Sequence, residues 1–164
     1  MTDLIIADTG PLIGLARTNW LWLLQRRYRQ VLVPPDVHNE LQIDWPRPGS
    51  KALLSAIQEG WLLTAELPKG QETKQLAAIL DPGEAEAILL AQARVARLLL
   101  DERRGRAVAH RRGVTVIGTG AVLLAAKRLR VVDRVSPILN ELADHGYRVS
   151  DRLRRHIVTL ADES

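Results

Sequence analysis

Cysteine is absent from the 164 residues, and its absence removes disulfides, Cys-ligated zinc, iron–sulfur clusters and thiol nucleophiles together. A chain without thiols suits a reducing compartment, and the cytoplasm is the expected location. No apolar run approaches the roughly 20 residues needed to cross a bilayer. Met1-Thr2-Asp3-Leu4 enters an apolar stretch without a basic n-region or a cleavage site, so the start is expected to be that of a mature soluble protein. There is no Walker lysine motif and no Gly-x-Ser-x-Gly elbow. His38, His110, His145 and His156 lack metal-ligand spacing and are expected at the surface or at helix caps. Phenylalanine is missing too, although four Trp are present. Core packing is the default expectation for those Trp, and stacking on bases the alternative.

Hydrophobic residues make up 46% of the chain, enough to bury a core, and the length suits one domain over residues 1–164. The net charge is +4, carried by 19 Arg against 4 Lys. Arginine offers bidentate phosphate contacts, so a polyanionic partner is permitted; an arginine-rich genome explains the bias equally well.

Leu4-Ile5-Ile6-Ala7 is an apolar run without alternation, as expected of a strand buried on both faces of a parallel sheet. Asp8-Thr9-Gly10-Pro11 stops it and opens a helix running to about Arg17. Asn19 is placed to cap a second helix, Trp20 to about Arg27. Val31-Leu32-Val33 reads as a strand, and Pro34-Pro35 leads into a short helix holding Asp36 and Glu40. A loop over 44–49, a helix over 51–59 and a strand near 61–64 follow. Helical patterns then cover about 72–80 and 84–94, and strand 98–100 precedes helix 103–112. Strand 114–117 and helix 121–130 come next. Helical segments over 137–145 and 151–160 close the chain and are expected to pack on the rest. Strands alternating with helices predict βαβ units around a parallel sheet, an α/β fold with helices on both faces.

In such a sheet ligands bind beyond the carboxyl ends of the strands. Asp8 follows the first strand, and Asp101 with Glu102 follows strand 98–100. Glu40 and Glu84 lie on helices able to reach the same edge. Converging carboxylates repel one another unless protons or cations intervene. An all-oxygen set without cysteine suits magnesium or manganese rather than zinc, and paired ions held this way serve phosphodiester hydrolysis. Each residue also has a plainer reading. Asp8 or Thr9 suits a helix cap, and Glu40 an exposed surface position with Asp36 one turn before it. Asp81-Pro82-Gly83-Glu84 has the form of a capping box. Glu86 rivals Glu84, but the two point about 200° apart on a helix, so one alone faces a given site. Between Asp101 and Glu102 the sequence does not choose. Arg104 and Arg106 are placed to reach a neighbouring phosphate, or simply to line a solvated helix face. Gly118-Thr119-Gly120 opens a helix after a strand but lacks the third glycine of a dinucleotide loop, with Leu123 in its place. A receiver-type phosphoacceptor would need a lysine ending the last strand, and Val116-Ile117-Gly118-Thr119 has none.

Taken together, Ile6-Ala7-Asp8-Thr9-Gly10-Pro11-Leu12-Ile13, Val31-Leu32-Val33-Pro34-Pro35 leading to Glu40, and Leu80-Asp81-Pro82-Gly83-Glu84-Ala85-Glu86-Ala87-Ile88 form a pattern. It continues through Leu98-Leu99-Leu100-Asp101-Glu102-Arg103-Arg104-Gly105-Arg106 and the stretch from Val116 to Lys127. The chain resembles the PIN-domain nucleases, the VapC-like superfamily, and within it a prokaryotic branch of PIN-like proteins. The resemblance covers nearly the whole chain and implies a three-layer α/β/α fold with strand order 3-2-1-4-5. It implies a Mg2+- or Mn2+-dependent nuclease, with Asp8, Glu40, Glu84 and Asp101 as acidic ligands and Thr9 as the hydroxyl residue after the first aspartate. Its further implications are RNA ahead of DNA as substrate, a homodimer, and the toxin role of a toxin–antitoxin pair with a small antitoxin partner. The alternative is a catalytically silent PIN-like module that binds RNA or a protein. The third acidic position is usually Asp in toxin-type members and is Glu here.

Overall fold

A computed structural model describes residues 4–68 and 70–164. Strands β1 (Leu4–Ala7), β2 (Gln30–Val33), β3 (Leu62–Thr64), β4 (Arg97–Leu99) and β5 (Val116–Ile117) form one sheet in the order β3-β2-β1-β4-β5. All four pairings are parallel, with Ile5 opposite Val31 on one side and Arg97 on the other. The helices are α1 (Thr9–Arg17), α2 (Trp22–Arg27), α3 (Pro35–Leu41), α4 (Ser50–Gln58) and α5 (Gln71–Ala77), followed by α6 (Pro82–Arg94), α7 (Arg103–Arg111), α8 (Thr119–Arg128), α9 (Ser136–Asp144) and α10 (Asp151–Leu160). The expected fold and strand order are those found.

The central strands are covered on both faces. Ile5 and Ala7 point into one hydrophobic cluster and Ile6 into the other; Val31, Val33 and Leu32 divide the same way, as do Leu99 and its neighbours Leu98 and Leu100. Alternate side chains leave a strand on opposite faces, so an unbroken apolar run is what two buried faces require. Helices α5, α6 and α7 cover one face, and α1, α2, α4, α8, α9 and α10 the other. Helix α6 is buried without interruption from Gly83 to Ala91. It lies against β1 and β4 with α3 and α5 beside it. Its small residues Ala85, Ala87 and Ala91 allow that enclosure.

Two local expectations change. Asn19 does not cap α2: it sits at φ 63° just past the end of α1, and its amide donates to Ala16 O. Asparagine tolerates the left-handed region, and the helix-ending role wins over the capping one. The helix expected from Trp20 therefore begins at Trp22. Of the Trp residues, Trp61 is buried and Trp20 is half-buried with its indole N–H on Glu141, whereas Trp22 and Trp45 are exposed. Ser150 caps α10, its hydroxyl accepting from Leu153 N at 3.1 Å. Among the described residues no helix is long and apolar enough to cross a membrane.

Candidate functional site

The strand order reverses direction between β1 and β4, and a crevice forms there because the connections from these two strands leave to opposite faces. Asp8 ends β1, its amide still donating to Leu99 O at 3.0 Å, and Asp101 follows the neighbouring β4. A parallel sheet thus sets side by side two carboxylates that are far apart in sequence. Glu40 comes in on the last turn of α3, and Glu84 on the first turn of α6. All four line one cleft of about 1030 Å³, together with Thr9, Asp81 and Glu102. Arg103, Arg106, Arg148 and His156 add basic groups to it, and Ala121, Leu124, Leu153, Ile157 and Leu160 form an apolar wall.

The plainer readings of the acidic residues give way at two positions. Asp8 and Asp81 precede α1 and α6, yet neither side chain makes a cap hydrogen bond among the described residues. The choice between Glu84 and Glu86 falls out of helical phase. Glu84 lines the cleft, while Glu86 turns away and accepts from Asp36 N at 3.1 Å at the start of α3. Glu102 borders the cleft, but its carboxylate is taken by the amides of Arg104 (3.0 Å) and Gly105 (2.6 Å) as the cap of α7. Asp101, the other carboxylate of that pair, reaches across to the first residue of α8, Thr119. Arg106 lines the cleft with a guanidinium on Leu100 O at 2.9 Å. Arg104 stays outside the lining and Arg103 takes its place, because Arg103 and Arg106 share a helical face that Arg104 does not.

The Asp8 carboxyl is raised to about 6, chiefly by burial, with the charges of Glu40, Asp81 and Asp101 adding to the rise and a hydrogen bond from the Thr9 amide opposing it. Burial likewise raises Glu84 to about 7, with Asp8, Glu102, Asp81 and Glu40 adding repulsion. Glu40 and Asp101 each accept from a hydroxyl. Thr9 Oγ1 donates to Glu40 Oε2 at 2.9 Å. Thr119 donates to both oxygens of Asp101, its amide to Oδ1 at 2.8 Å and its hydroxyl to Oδ2 at 2.6 Å, and the Tyr147 hydroxyl joins it on Oδ2. Among the described residues no three acidic or histidine side chains are already arranged as a ligand set. The fit to a hard cation lies in the donor chemistry: oxygen ligands, no thiol, and charge held back by burial and crowding.

Three glycines make the site possible. A Cβ on Gly83 would collide with Glu40 Oε1, so the bare backbone of α6 admits that carboxylate. A Cβ on Gly118 would stand 2.8 Å from Asp101 Oδ1, and one on Gly120 2.5 Å from Ile157 Cδ1. The Gly-Thr-Gly turn is therefore the clamp on Asp101 and the seat of α10. Thr119 and Tyr147 were not singled out from sequence. The flanking glycines were the available signal for Thr119, and Tyr147 had none.

A family model described as DUF3368, a PIN domain, matches residues 4–163. Among solved structures, a PilT N-terminus domain protein from the hyperthermophilic archaeon Sulfolobus solfataricus P2 is similar in fold. The TM-score is 0.50 at 17% identity, over 75% of this chain and 92% of that one. No curated protein matches the chain.

Proposed function

Because the chain belongs to the PIN-domain family DUF3368, we propose that it is a phosphodiester hydrolase, an endoribonuclease that works with Mg2+ or Mn2+. The observation that carries this reading is the cleft itself. Four carboxylates from β1, α3, α6 and β4 face one space at the carboxyl edge of the sheet, two of them pushed towards neutrality. Asp8, Glu40, Glu84 and Asp101 would hold the cation. When bound, it supplies Lewis-acid activation of water and neutralises charge on the phosphate.

The chain's own groups do the rest. Asp8 and Asp101 follow adjacent parallel strands, and so fix the geometry on which the others converge. Thr9 keeps the Glu40 carboxylate turned into the cleft. Glu84 holds a proton near neutral pH without a cation, and must release it to become a full ligand. Arg103 and Arg106 stand on the rim where the phosphates flanking the cut bond would lie, and Arg148 is placed to neutralise the strand beyond.

The test is cleavage of structured and unstructured RNA, with DNA alongside, by the purified protein in Mg2+ or Mn2+. Metal-dependent cutting of RNA that disappears in Asp8→Asn is expected. Failure to cut any of these substrates in either metal would overturn the reading. The same reading extends to a toxin held in check by a small antitoxin protein. Expression of the chain alone should then arrest growth, and Asp8→Asn should relieve the arrest.

A further inference from the structure

Asp101 is approached from two sides. From behind comes Thr119, 1% exposed, with its amide on Oδ1 and its hydroxyl on Oδ2. From the cleft side comes Tyr147, whose hydroxyl donates to the same Oδ2 and whose side chain lines the cleft. The free flank of Oδ1 lies against the backbone of Gly118. A carboxylate oxygen accepts about two hydrogen bonds. Oδ2 is therefore saturated, and a tyrosine holds the direction from which the cleft addresses Asp101.

Tyr147 is not there through the laxity of a loop. Its amide donates to Leu142 O at 2.8 Å, which ties it to the end of α9. Its ring lies in a seat made by two glycines one helical turn apart on α1. A Cβ on Gly10 would stand 3.6 Å from the ring edge, and one on Gly14 2.9 Å from Cγ. Any larger residue at position 14 would push the ring out. The seat and the hydroxyl partner together define one position for this side chain.

We propose that Tyr147 is a positioning residue that holds Oδ2 of Asp101 while no divalent cation is bound and yields it when one binds. The inference rests on the nuclease reading and assigns the two hydroxyls on Oδ2 opposite parts. Thr119 orients the carboxylate whether or not an ion is present. Tyr147 competes with the ion for the same lone pair, so the cation must displace a hydrogen bond to a charged group before it can bind.

The experiment is a Mn2+ titration followed by thermal melting of the wild type, Tyr147→Phe and Thr119→Val. Phe keeps the ring in its seat and removes only the hydroxyl; Val keeps the amide donor and removes the hydroxyl behind. Tyr147→Phe should bind Mn2+ about tenfold more tightly, the scale of one hydrogen bond to a carboxylate. Thr119→Val should bind it more weakly. A tyrosine that merely supports the carboxylate would move both variants in the weaker direction. Mn2+ binding by the wild type that is unchanged or weakened in Tyr147→Phe overturns the inference and leaves the nuclease reading standing. Stabilisation that appears only in Tyr147→Phe supports it. No stabilisation in wild type or Tyr147→Phe overturns both.

Discussion

At the scale of single residues, the site is a balance between burying charge and needing it. Asp8 and Glu84 have carboxyls raised by burial and by the acidic groups around them. Their unfolded-state values lie lower, so the folded protein resists their ionisation. Below the unfolded values both states are neutral and nothing is lost; stability then falls as pH rises through about 6 and 7. In chelator, the melting temperature should decline from pH 5 to 8, and the decline should flatten in Asp8→Asn and in Glu84→Gln. At pH 8 Asp8→Asn should melt at or above the wild type, by about 2–4 °C for each kcal/mol of relieved repulsion. It should also lose the Mn2+-induced rise, because a cation stabilises only a fold that binds it. Equal Mn2+ shifts in the two proteins would remove Asp8 from the ligand set. Gly83→Ala is a finer probe, since it leaves every carboxylate in place. Alanine suits a helix better than glycine, and the new methyl meets chiefly the flexible end of Glu40, with Val37 Cγ2 3.3 Å away. The melting temperature should hold while Mn2+ affinity drops several-fold. Asp8 and Asp101 were legible in sequence because strand ends can be found from apolar runs. Thr119 and Tyr147 were not, because their partner lies 18 and 46 residues away and hydrogen bonding at that range leaves no local pattern.

At the scale of elements, α9 shows how one end of the chain is fastened. Its N-terminus begins at Ser136 after Val135, and Val135 supplies no cap hydrogen bond. The cap arrives from Glu163, whose carboxylate accepts from Val135 N at 2.8 Å, Ser136 N at 3.0 Å and Ser136 Oγ at 2.7 Å. Lys127 of α8 donates to the same carboxylate at 2.8 Å and also to Ala161 O. Burial alone would raise the Glu163 carboxyl, but Lys127 and these donors overcome it and bring it to about 2. This is the opposite case to Asp8. The stability it contributes is present above the ordinary glutamate range and is lost as pH falls from about 4.5 towards 2. Glu163→Gln should cost about 1–3 kcal/mol at pH 7, as expected when a charged hydrogen-bond acceptor is lost. The gap between variant and wild type should close in melts below pH 4. A gap independent of pH would mean that the charge plays no part. The order of helices and strands was readable because apolar periodicity is a local signal. The capping box expected at Asp81 was not formed, since the cleft drew Glu84 away from the helix end. The cap that α9 does have comes from the far end of the chain, beyond the reach of any local motif.

At the scale of the whole molecule, two surfaces can be told apart: the cleft with its arginines, and a depression between α2 and α8. Arg103, Arg106 and Arg148 flank the acidic cleft. RNA binding should therefore weaken with salt, and removing Arg103 or Arg106 should reduce the salt slope by about one each. A slope unchanged in both variants would take the strand off that rim. Away from the cleft, Trp22 of α2 and Leu129 at the end of α8 stand 40% and 64% exposed. Leu129 lines a depression with Leu23, Val122 and Ala125, and Arg26 and Arg27 stand at the same place. We propose this face as the contact between two copies of the chain, since amphipathic Trp and a clustered apolar patch are features of such interfaces. Light scattering should give twice the 18.3 kDa chain mass, and Trp22→Glu should halve it; a monomer mass for the unaltered protein at high micromolar concentration would dismiss the contact. The enclosure of α6 has a consequence for heredity. A surface helix tolerates most replacements on its wet side, but from Gly83 to Ala91 this one has no wet side. A library of random substitutions should find the seven consecutive codons from Ala85 to Ala91 as unforgiving as the strands, with no helical rhythm in what survives.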